Sequence, residues 1–227
     1  TAVAKAVGKG VVEPESITLL VVAGGVSAAA AWVFLATRFG MPVSGSHSLI
    51  AGMSGSGIAH AGWKVLVGSG IRKIVLGLMF SPILGFLGGY VLMLTIYWAL
   101  RRVTPRAIAV VFAKLQIGTA AAVAFSHGSN DAQKTMGIIT LALFTHGSIS
   151  ELDVPLWVIV LSGAVMAAGT YFGGYRVIRT LGGRIVTMRP VHGAAAEGAA
   201  AGVITIASRI GVPISTTHVI TSSILGM

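Results

Sequence analysis

Long apolar stretches recur along this chain of 227 residues, and they restrict its fold more than any other feature. Only 10% of the residues are charged and 55% are hydrophobic, whereas a soluble domain averages about 25% charged residues. Stretches such as Ile17–Phe39 and Ile74–Leu100 reach the roughly 20 apolar residues that cross a bilayer. The 31 glycines suit close helix packing in lipid. The sequence therefore predicts an all-α, polytopic transmembrane helical bundle.

The positive charges indicate a topology. The net charge is +10, but the basic residues lie in short loops between apolar spans, as the positive-inside bias of membrane proteins produces, so nucleic-acid binding is not expected. Arg101–Arg106 and Arg176–Arg189 are predicted to face the cytoplasm, and Thr145–Pro155, which has no Lys or Arg, the outside. An odd number of crossings must then connect Arg106 to Thr145.

A polar cluster, Ser126–Lys134, interrupts this apolar sequence. A charge at the bilayer centre costs about 2.5–3.5 kcal/mol on insertion scales, so such clusters usually mark a functional site. The cluster is predicted to break a single crossing, or to make one of its arms re-entrant, because non-helical backbone at membrane depth is tolerated where it lines a site.

Asp131 is the candidate cation ligand or proton carrier of this cluster. It is the sole acidic residue between Glu15 and Glu151. Asn130 can add a carbonyl ligand and an amide donor, and Lys134 lies close enough along a helix to pair with Asp131. An Asp–Lys pair that only fixes helix packing is the structural alternative. Glu197, alone in an apolar span, is a second candidate for cation or proton coupling, with a packing role as its alternative.

Two segments of the chain resemble each other at a constant offset. Residues 36–47 and 207–218 are identical at six of twelve positions, including the prolines and the terminal histidines. Internal symmetry with Gly- and Pro-interrupted segments points to a transporter site at the repeat interface. We therefore expect two inverted repeats, residues 1–100 and 101–227, in one membrane domain.

Both repeated segments have the features of an anion site. We expect Pro213 in the first turn of a helix, followed by free backbone N–H groups at the positive end of the helix dipole. Ordinary N-capping by serine is the alternative. The hydroxyl groups or exposed backbone at these helix starts would add neutral donors for a tetrahedral oxyanion. The candidate residues are Ser44, Gly45, Ser46, Ser215, Thr216 and Thr217.

Metal and hydrolase chemistry lack their usual spacing. His47, His127 and His218 form no His-x-x-x-His pair, and the chain has no cysteine. Ser126 and His127 are adjacent, but adjacent helical residues do not face each other. We therefore expect neither an enzyme, nor a cofactor, nor a metal site beyond a Na⁺ ion at Asp131.

The motifs resemble those of the inorganic phosphate transporter (PiT) family. Gly128–Gly137, with the letters GSNDAQK, is similar to the second Asn-Asp signature of the bacterial low-affinity type. Pro213–His218 resembles the PVSTTH motif, and Pro42–His47 its first-half counterpart, with Gly45 and Ser46 in place of Thr-Thr. By the repeat offset, the first Asn-Asp copy would precede Thr1, so the chain is expected to be a fragment that does not transport alone.

The resemblance implies symport of inorganic phosphate, alone or as a metal–phosphate complex, with Na⁺ or H⁺ as coupling ion. Carried onto this chain, it assigns the centre to Asn130 and Asp131 together with the Ser44–Ser46 and Ser215–Thr217 segments. The expected protein is a multi-pass cell-membrane transporter working by alternating access, with a homo-oligomer as an option. The alternatives are a sulfate or other oxyanion permease of the same fold, a membrane-embedded hydrolase, and a passive anion channel.

Overall fold

The computed structural model describes residues 10–13, 16–183 and 188–227. These residues fold largely into helices, with an isolated bridge between Val12 and Leu66. Three helices are long and apolar enough to cross a membrane, and a shorter helix is also apolar. The predicted all-α fold is confirmed. The helices are α1 (Leu19–Arg38), α2 (Gly45–Ala61), α3 (Gly68–Leu100), α4 (Pro105–Thr145), α5 (Leu156–Phe172), α6 (Tyr175–Gly183), α7 (Pro190–Arg209) and α8 (Thr216–Leu225), with a 3-10 turn at Trp63–Val65.

Helix α4 runs without a break through the polar cluster, and here the sequence expectation is wrong. It has 41 residues, which at 1.5 Å per residue gives about 60 Å, twice the hydrocarbon thickness of a bilayer. Polar side chains of the cluster find partners on neighbouring helices: Ser126 meets Thr205, and Asn130 donates to Ser208. Because these side chains find partners within the bundle, the backbone does not have to unwind. A single helix also gives the odd number of crossings that the charges require.

The interruptions lie instead in two helical hairpins. Helices α1 and α2 pack closely and antiparallel, with Gly25 against Met53 and Gly24 against Ser56. Helices α7 and α8 are joined by a turn of similar length. The first tip is residues 39–47 and the second is residues 210–218, each with the first turn of the following helix; both lie beside Lys134, inside the length of α4. Each hairpin therefore reverses direction beside α4.

The two hairpins approach the middle of α4 from opposite ends. Val22, near the start of α1, packs in one core cluster with Ile138 and Leu141 near the end of α4. Gly193, near the start of α7, lies against Gln116 in the first half of α4. Helices α1 and α7 thus run in opposite directions along α4, the arrangement expected of inverted repeats. The repeat boundaries at residues 100 and 101 stay a prediction.

Small residues bring α3 close to the second hairpin. A Cβ atom at Gly89 would meet the carbonyl oxygen of Ser223, and one at Gly85 would meet the carbonyl oxygen of Val219. Ser223 in turn donates to the carbonyl oxygen of Gly85 at 3.1 Å. Close backbone contact of this kind replaces the hydrophobic effect as the packing force within lipid, and it anchors α8 against a membrane-length helix.

The two predicted basic segments meet at one end of the bundle. Helices α4 and α7 run parallel, as the contacts Thr119–Glu197 and Asn130–Ser208 show. Arg101 and Arg189 consequently line the same cavity, consistent with a shared cytoplasmic face. The second basic segment is not simply a loop, because α6 occupies its first part. Its residues 184–187 lie outside the described residues.

Candidate functional site

The Asp131 carboxylate is the centre of the polar cluster. Thr216 at the start of α8 donates to both carboxylate oxygens, at 3.1 and 3.2 Å. The Lys134 ammonium lies 2.7 Å from Oδ1, and Nε2 of His127 lies 3.5 Å from Oδ2. The structure thus brings together the predicted cation ligand and a predicted anion-site residue from the other end of the sequence.

Lys134 connects α4 to both hairpin tips. Its side chain is 3% exposed, and Nζ donates to Ser46 Oγ at 2.6 Å, Asp131 Oδ1 at 2.7 Å and the carbonyl oxygen of Ile214 at 2.9 Å. An ammonium group has three donors, so this network uses all of them. The Asp131–Lys134 pair predicted from the sequence is present, and Lys134 also bonds to residues outside α4.

Residues at equivalent positions of the two tips touch each other. The hydroxyls of Ser44 and Ser215 lie 2.9 Å apart, and these residues are separated by the repeat offset of 171. The rings of His47 and His218, at the same offset, have centroids 4.9 Å apart. Contact between a residue and its own equivalent is the signature of a two-fold axis.

The surrounding hydrogen bonds are reciprocal in the same way. Ser46 donates to the carbonyl oxygen of Ile214 at 3.2 Å, and its equivalent Thr217 donates to that of Val43 at 3.3 Å. Each tip therefore closes on the other through the same pair of positions. The local two-fold axis passes between Ser44 and Ser215, next to the Asp131 carboxylate.

Serine caps α2 and α8, as the N-capping alternative to an anion site predicts. Ser44 accepts from the His47 N–H at 3.2 Å, and Ser215 from the His218 N–H at 3.3 Å. The expectation for proline is wrong, because Pro213 precedes the cap by two residues instead of lying in the first turn. The cap consumes one N–H group per helix. The groups at the first two helical positions have no partner among the described residues: Gly45, Ser46, Thr216 and Thr217.

Asn130 faces α7 instead of the tips. The residue is fully buried, and Nδ2 donates to Ser208 Oγ at 2.6 Å. Its carbonyl oxygen has no hydrogen-bond partner within the described part of the chain. Asn130 therefore keeps one free acceptor beside the cluster, as a cation ligand would need.

Comparison with known proteins identifies the family. The model of the phosphate transporter family matches residues 1–227. The chain belongs to the phosphate transporter family. Three relatives bear the name "Probable low-affinity inorganic phosphate transporter". That from Rhizobium meliloti is 39% identical over 226 residues, which cover 99% of this chain and 68% of the relative. Those from Mycobacterium tuberculosis and Bacillus subtilis are 41% and 40% identical, and each match covers 100% of this chain.

Two further comparisons concern the length of the relatives and the fold of a solved structure. The chain spans 55% of the mycobacterial relative and 69% of the Bacillus subtilis one. A solved structure described as "The sodium-dependent phosphate transporter" superposes with a TM-score of 0.85 at 24% identity, over 100% of this chain and 75% of that one. This likeness shows that the two chains share a fold.

Glu197 lies apart from the polar cluster around Asp131. Its carboxylate accepts from Thr119 at 2.7 Å. It precedes Ser208, the partner of Asn130, by eleven residues on α7, which amounts to about 16 Å along the helix axis. The structure therefore does not bring Glu197 to Asp131.

Sequence reasoning missed several contributors to the centre. Ser208 holds Asn130, and the repeat contained a signal for it, because Ser208 is aligned with Thr37. Ser81 on α3 accepts from the Ser215 N–H at 3.0 Å and is fully buried, yet nothing in its neighbourhood marks it. The carbonyl oxygen of Ile214 could not be predicted, because every residue type has a backbone carbonyl. Backbone groups that bond to residues distant in the sequence can be identified only from the folded structure.

Ser126 and His127, the residues named for the hydrolase alternative, bond to different partners. Ser126 donates to the Ala122 carbonyl oxygen and meets Thr205, while His127 is directed to Asp131. The described residues hold no cluster of three histidine or acidic side chains with metal-binding geometry. The relatives of the chain are named as transporters.

A cavity of about 760 Å³ adjoins the tips on the His127 side. Thr217 and Val43 line it at the tips, and its remaining wall is mostly apolar and comes from α1, α4, α5 and α6. It gives the cluster open space large enough for a small oxyanion with its water.

Proposed function

We propose that the full-length protein is a secondary active transporter that carries inorganic phosphate across the cell membrane together with a cation, Na⁺ or H⁺. The observation that carries this proposal is the reciprocal contact of two oppositely directed hairpin tips beside Asp131. The phosphate transporter family and the names of the relatives support phosphate as the substrate. Activity is assigned to the whole protein, because its relatives are longer than this chain.

Neutral donors would bind the anion. The free N–H groups of Gly45, Ser46, Thr216 and Thr217, with the hydroxyls of the tips, converge from two helix N-termini, where the dipoles favour negative charge. The Lys134 ammonium is not available as a further ligand, since its three donors are in use. Phosphate therefore binds without a fixed positive partner, and a cotransported cation offsets its charge.

The Asp131 carboxylate and the free carbonyl oxygen of Asn130 would serve that cation. Both are oxygen ligands, which hard cations prefer, and the carboxylate can equally take a proton. The sodium-dependent transporter that shares this fold supports Na⁺. H⁺ remains the second candidate, and the uptake experiment below separates the two.

Alternating access follows from the opposed hairpins. Helices α1 and α7 lead to the tips from opposite ends of α4. Movement of one hairpin relative to the other would open Asp131 to one side of the membrane, while the reciprocal bonds between the tips close the other side. Sulfate fits the same neutral donors and is the alternative substrate. A metal–phosphate complex and a homo-oligomer are compatible with this scheme.

Uptake by the full-length protein in proteoliposomes tests the proposal. Radiolabelled phosphate and sulfate are offered with sodium and proton gradients imposed separately. We expect gradient-driven phosphate uptake that exceeds sulfate uptake. Uptake that no gradient stimulates, or hydrolysis of a lipid or peptide substrate in its place, would contradict the assignment.

Two matched carboxylate variants locate the centre. Asp131→Asn should reduce phosphate uptake by at least about tenfold, the effect of about 1.4 kcal/mol in the rate-limiting barrier, because the amide removes the negative charge that attracts the cation and the group that can take a proton. Glu151→Gln makes the same chemical change on an exposed loop and should leave uptake unchanged. Equal uptake by both variants would rule out Asp131 as the coupling residue.

A further inference from the structure

We propose that the Lys134 ammonium is a tethered cation, which occupies an oxygen-lined position between α4 and both hairpin tips that a free monovalent ion would otherwise fill. Its three ligands are oxygens of three different kinds: a carboxylate from Asp131, a hydroxyl from Ser46 and the backbone carbonyl of Ile214. They come from three separate parts of the fold, namely α4, α2 and the second tip. An ion held between these parts joins them, and the ammonium does the same through a covalent tether.

A role in packing alone does not account for these contacts. Asp131, three residues earlier on the same helix, would be a sufficient partner for an ion pair on the surface of α4. The Lys134 side chain instead extends between the two tips and is 3% exposed. Its other two acceptors, Ser46 and Ile214, are also bonded to each other at 3.2 Å. The ammonium therefore sits at the junction where the tips close.

A role as phosphate ligand is also inconsistent with the geometry. All three N–H donors are directed to protein oxygens, so none remains for an anion. The free donors of the site are backbone N–H groups and hydroxyls at the helix starts. Lys134 thus faces acceptors only, as a bound cation does.

Removal of the ammonium would leave a vacant site of defined chemistry. The Asp131 carboxylate, the Ser46 hydroxyl and the Ile214 carbonyl would remain, with a net negative charge and no cation. A hard monovalent cation is the species that such oxygen ligands take. We therefore expect Lys134→Ala to gain a sodium site that the wild-type protein does not have at this position.

Binding of radiolabelled sodium to the purified full-length protein in detergent tests this inference. Lys134→Ala should bind one more sodium ion per chain than the wild type. Its thermal unfolding midpoint should also rise more than that of the wild type when sodium chloride replaces choline chloride, as expected when an additional ligand binds the folded state. Lys134→Arg, which keeps the charge, should match the wild type in both measurements. The double variant Lys134→Ala with Asp131→Asn should bind no more sodium than Asp131→Asn alone.

Two outcomes would overturn the inference. In the first, folded Lys134→Ala binds no more sodium than the wild type. In the second, Lys134→Arg gains the same sodium ion as Lys134→Ala, which would mean that the gain does not come from the position that the Lys134 ammonium occupies. Where Lys134→Ala does not yield folded protein, Lys134→Gln replaces it, and absence of a sodium gain in that variant counts against the inference equally.

The transport consequence rests on the proposed function, whereas the binding measurements do not. Sodium should stimulate phosphate uptake more strongly in Lys134→Ala than in the wild type. If the wild type takes up no phosphate under any gradient, the proposed function fails, and sodium binding still decides the role of Lys134.

Discussion

At the scale of single residues, two serines hold the centre closed. Ser44 and Ser215 each cap a helix and also bond to each other at 2.9 Å, although they are 171 residues apart. Ser215 is fully buried, so each of its polar contacts contributes to stability. The contact between the tips therefore stabilises the fold through two helix caps and one hydrogen bond that the two serines share.

A double-mutant cycle measures that shared bond. Ser44→Ala and Ser215→Ala should each destabilise the full-length protein by about 1–2 kcal/mol through loss of a cap. The double variant should lose about 1 kcal/mol less than the sum, because the two serines share one hydrogen bond. Thermal unfolding in detergent gives the three values.

A third cap provides the control. Thr18 caps α1 by accepting from the Val21 N–H at 3.2 Å, at the end of the hairpin remote from the tip. Thr18→Ala should add to Ser44→Ala without coupling, since distant sites are usually additive. Full additivity in the Ser44 and Ser215 cycle as well would show that the tips do not close through this contact in solution.

The sequence anticipated part of this chemistry because its signals were local. Asp131 was conspicuous as an isolated acid in apolar sequence, and the repeat marked both Ser44 and Ser215. Glu197 had the same signal of isolation, yet it bonds to Thr119 elsewhere on α4. Isolation of an acid in an apolar span predicts that it has a partner, but does not say which one.

At the scale of helices, the polar cluster led to a wrong prediction of a helix break, because the free-energy cost of its side chains was taken for a lipid environment. Ser126, Asn130 and Lys134 are buried against other helices, and each bonds to a residue of α7 or α2. The backbone of α4 consequently stays helical. The helices are interrupted instead at the Gly- and Pro-containing segments of the tips, where proline and glycine disfavour continued helix.

A glycine substitution tests the packing of α3 on the second hairpin. Gly89→Ala should destabilise the protein by about 1–3 kcal/mol, the usual cost of overpacking, because the added Cβ atom would meet the Ser223 backbone. The unfolding midpoint in detergent and the folded yield after gel filtration report this loss.

Gly202→Ala is the matched control on α7. This glycine is exposed, and a Cβ atom there meets nothing within 4 Å. Helix propensity favours alanine over glycine by about 1 kcal/mol, so the control should match or exceed the wild type in stability. A Gly89→Ala variant as stable as this control would mean that α3 and α8 are not in close backbone contact.

At the scale of the whole molecule, the repeat and the charges together predicted the architecture. The constant offset matched His47 to His218, and the structure brings the two rings into contact. The direction of α7 followed from the basic residues before it, which share one end of the bundle with Arg101. The depth at which the hairpins turn did not follow from the sequence, because it depends on Lys134 reaching both tips across the fold.

The orientation of α4 in the membrane gives a prediction for the whole topology. Thr104 precedes α4 in a basic turn and makes no side-chain cap bond, and Ser150 lies in the exposed loop after it. The basic residues should hold the first site in the cytoplasm, and one uninterrupted helix carries the second to the outside. In intact cells, a membrane-impermeant maleimide should label Ser150→Cys but label Thr104→Cys only after permeabilisation. Any cysteine elsewhere in the full-length protein is replaced by serine for this experiment, and a permeant maleimide confirms that both introduced thiols react. Labelling of both sites from the same side would require α4 to return across the membrane, which a continuous helix cannot do.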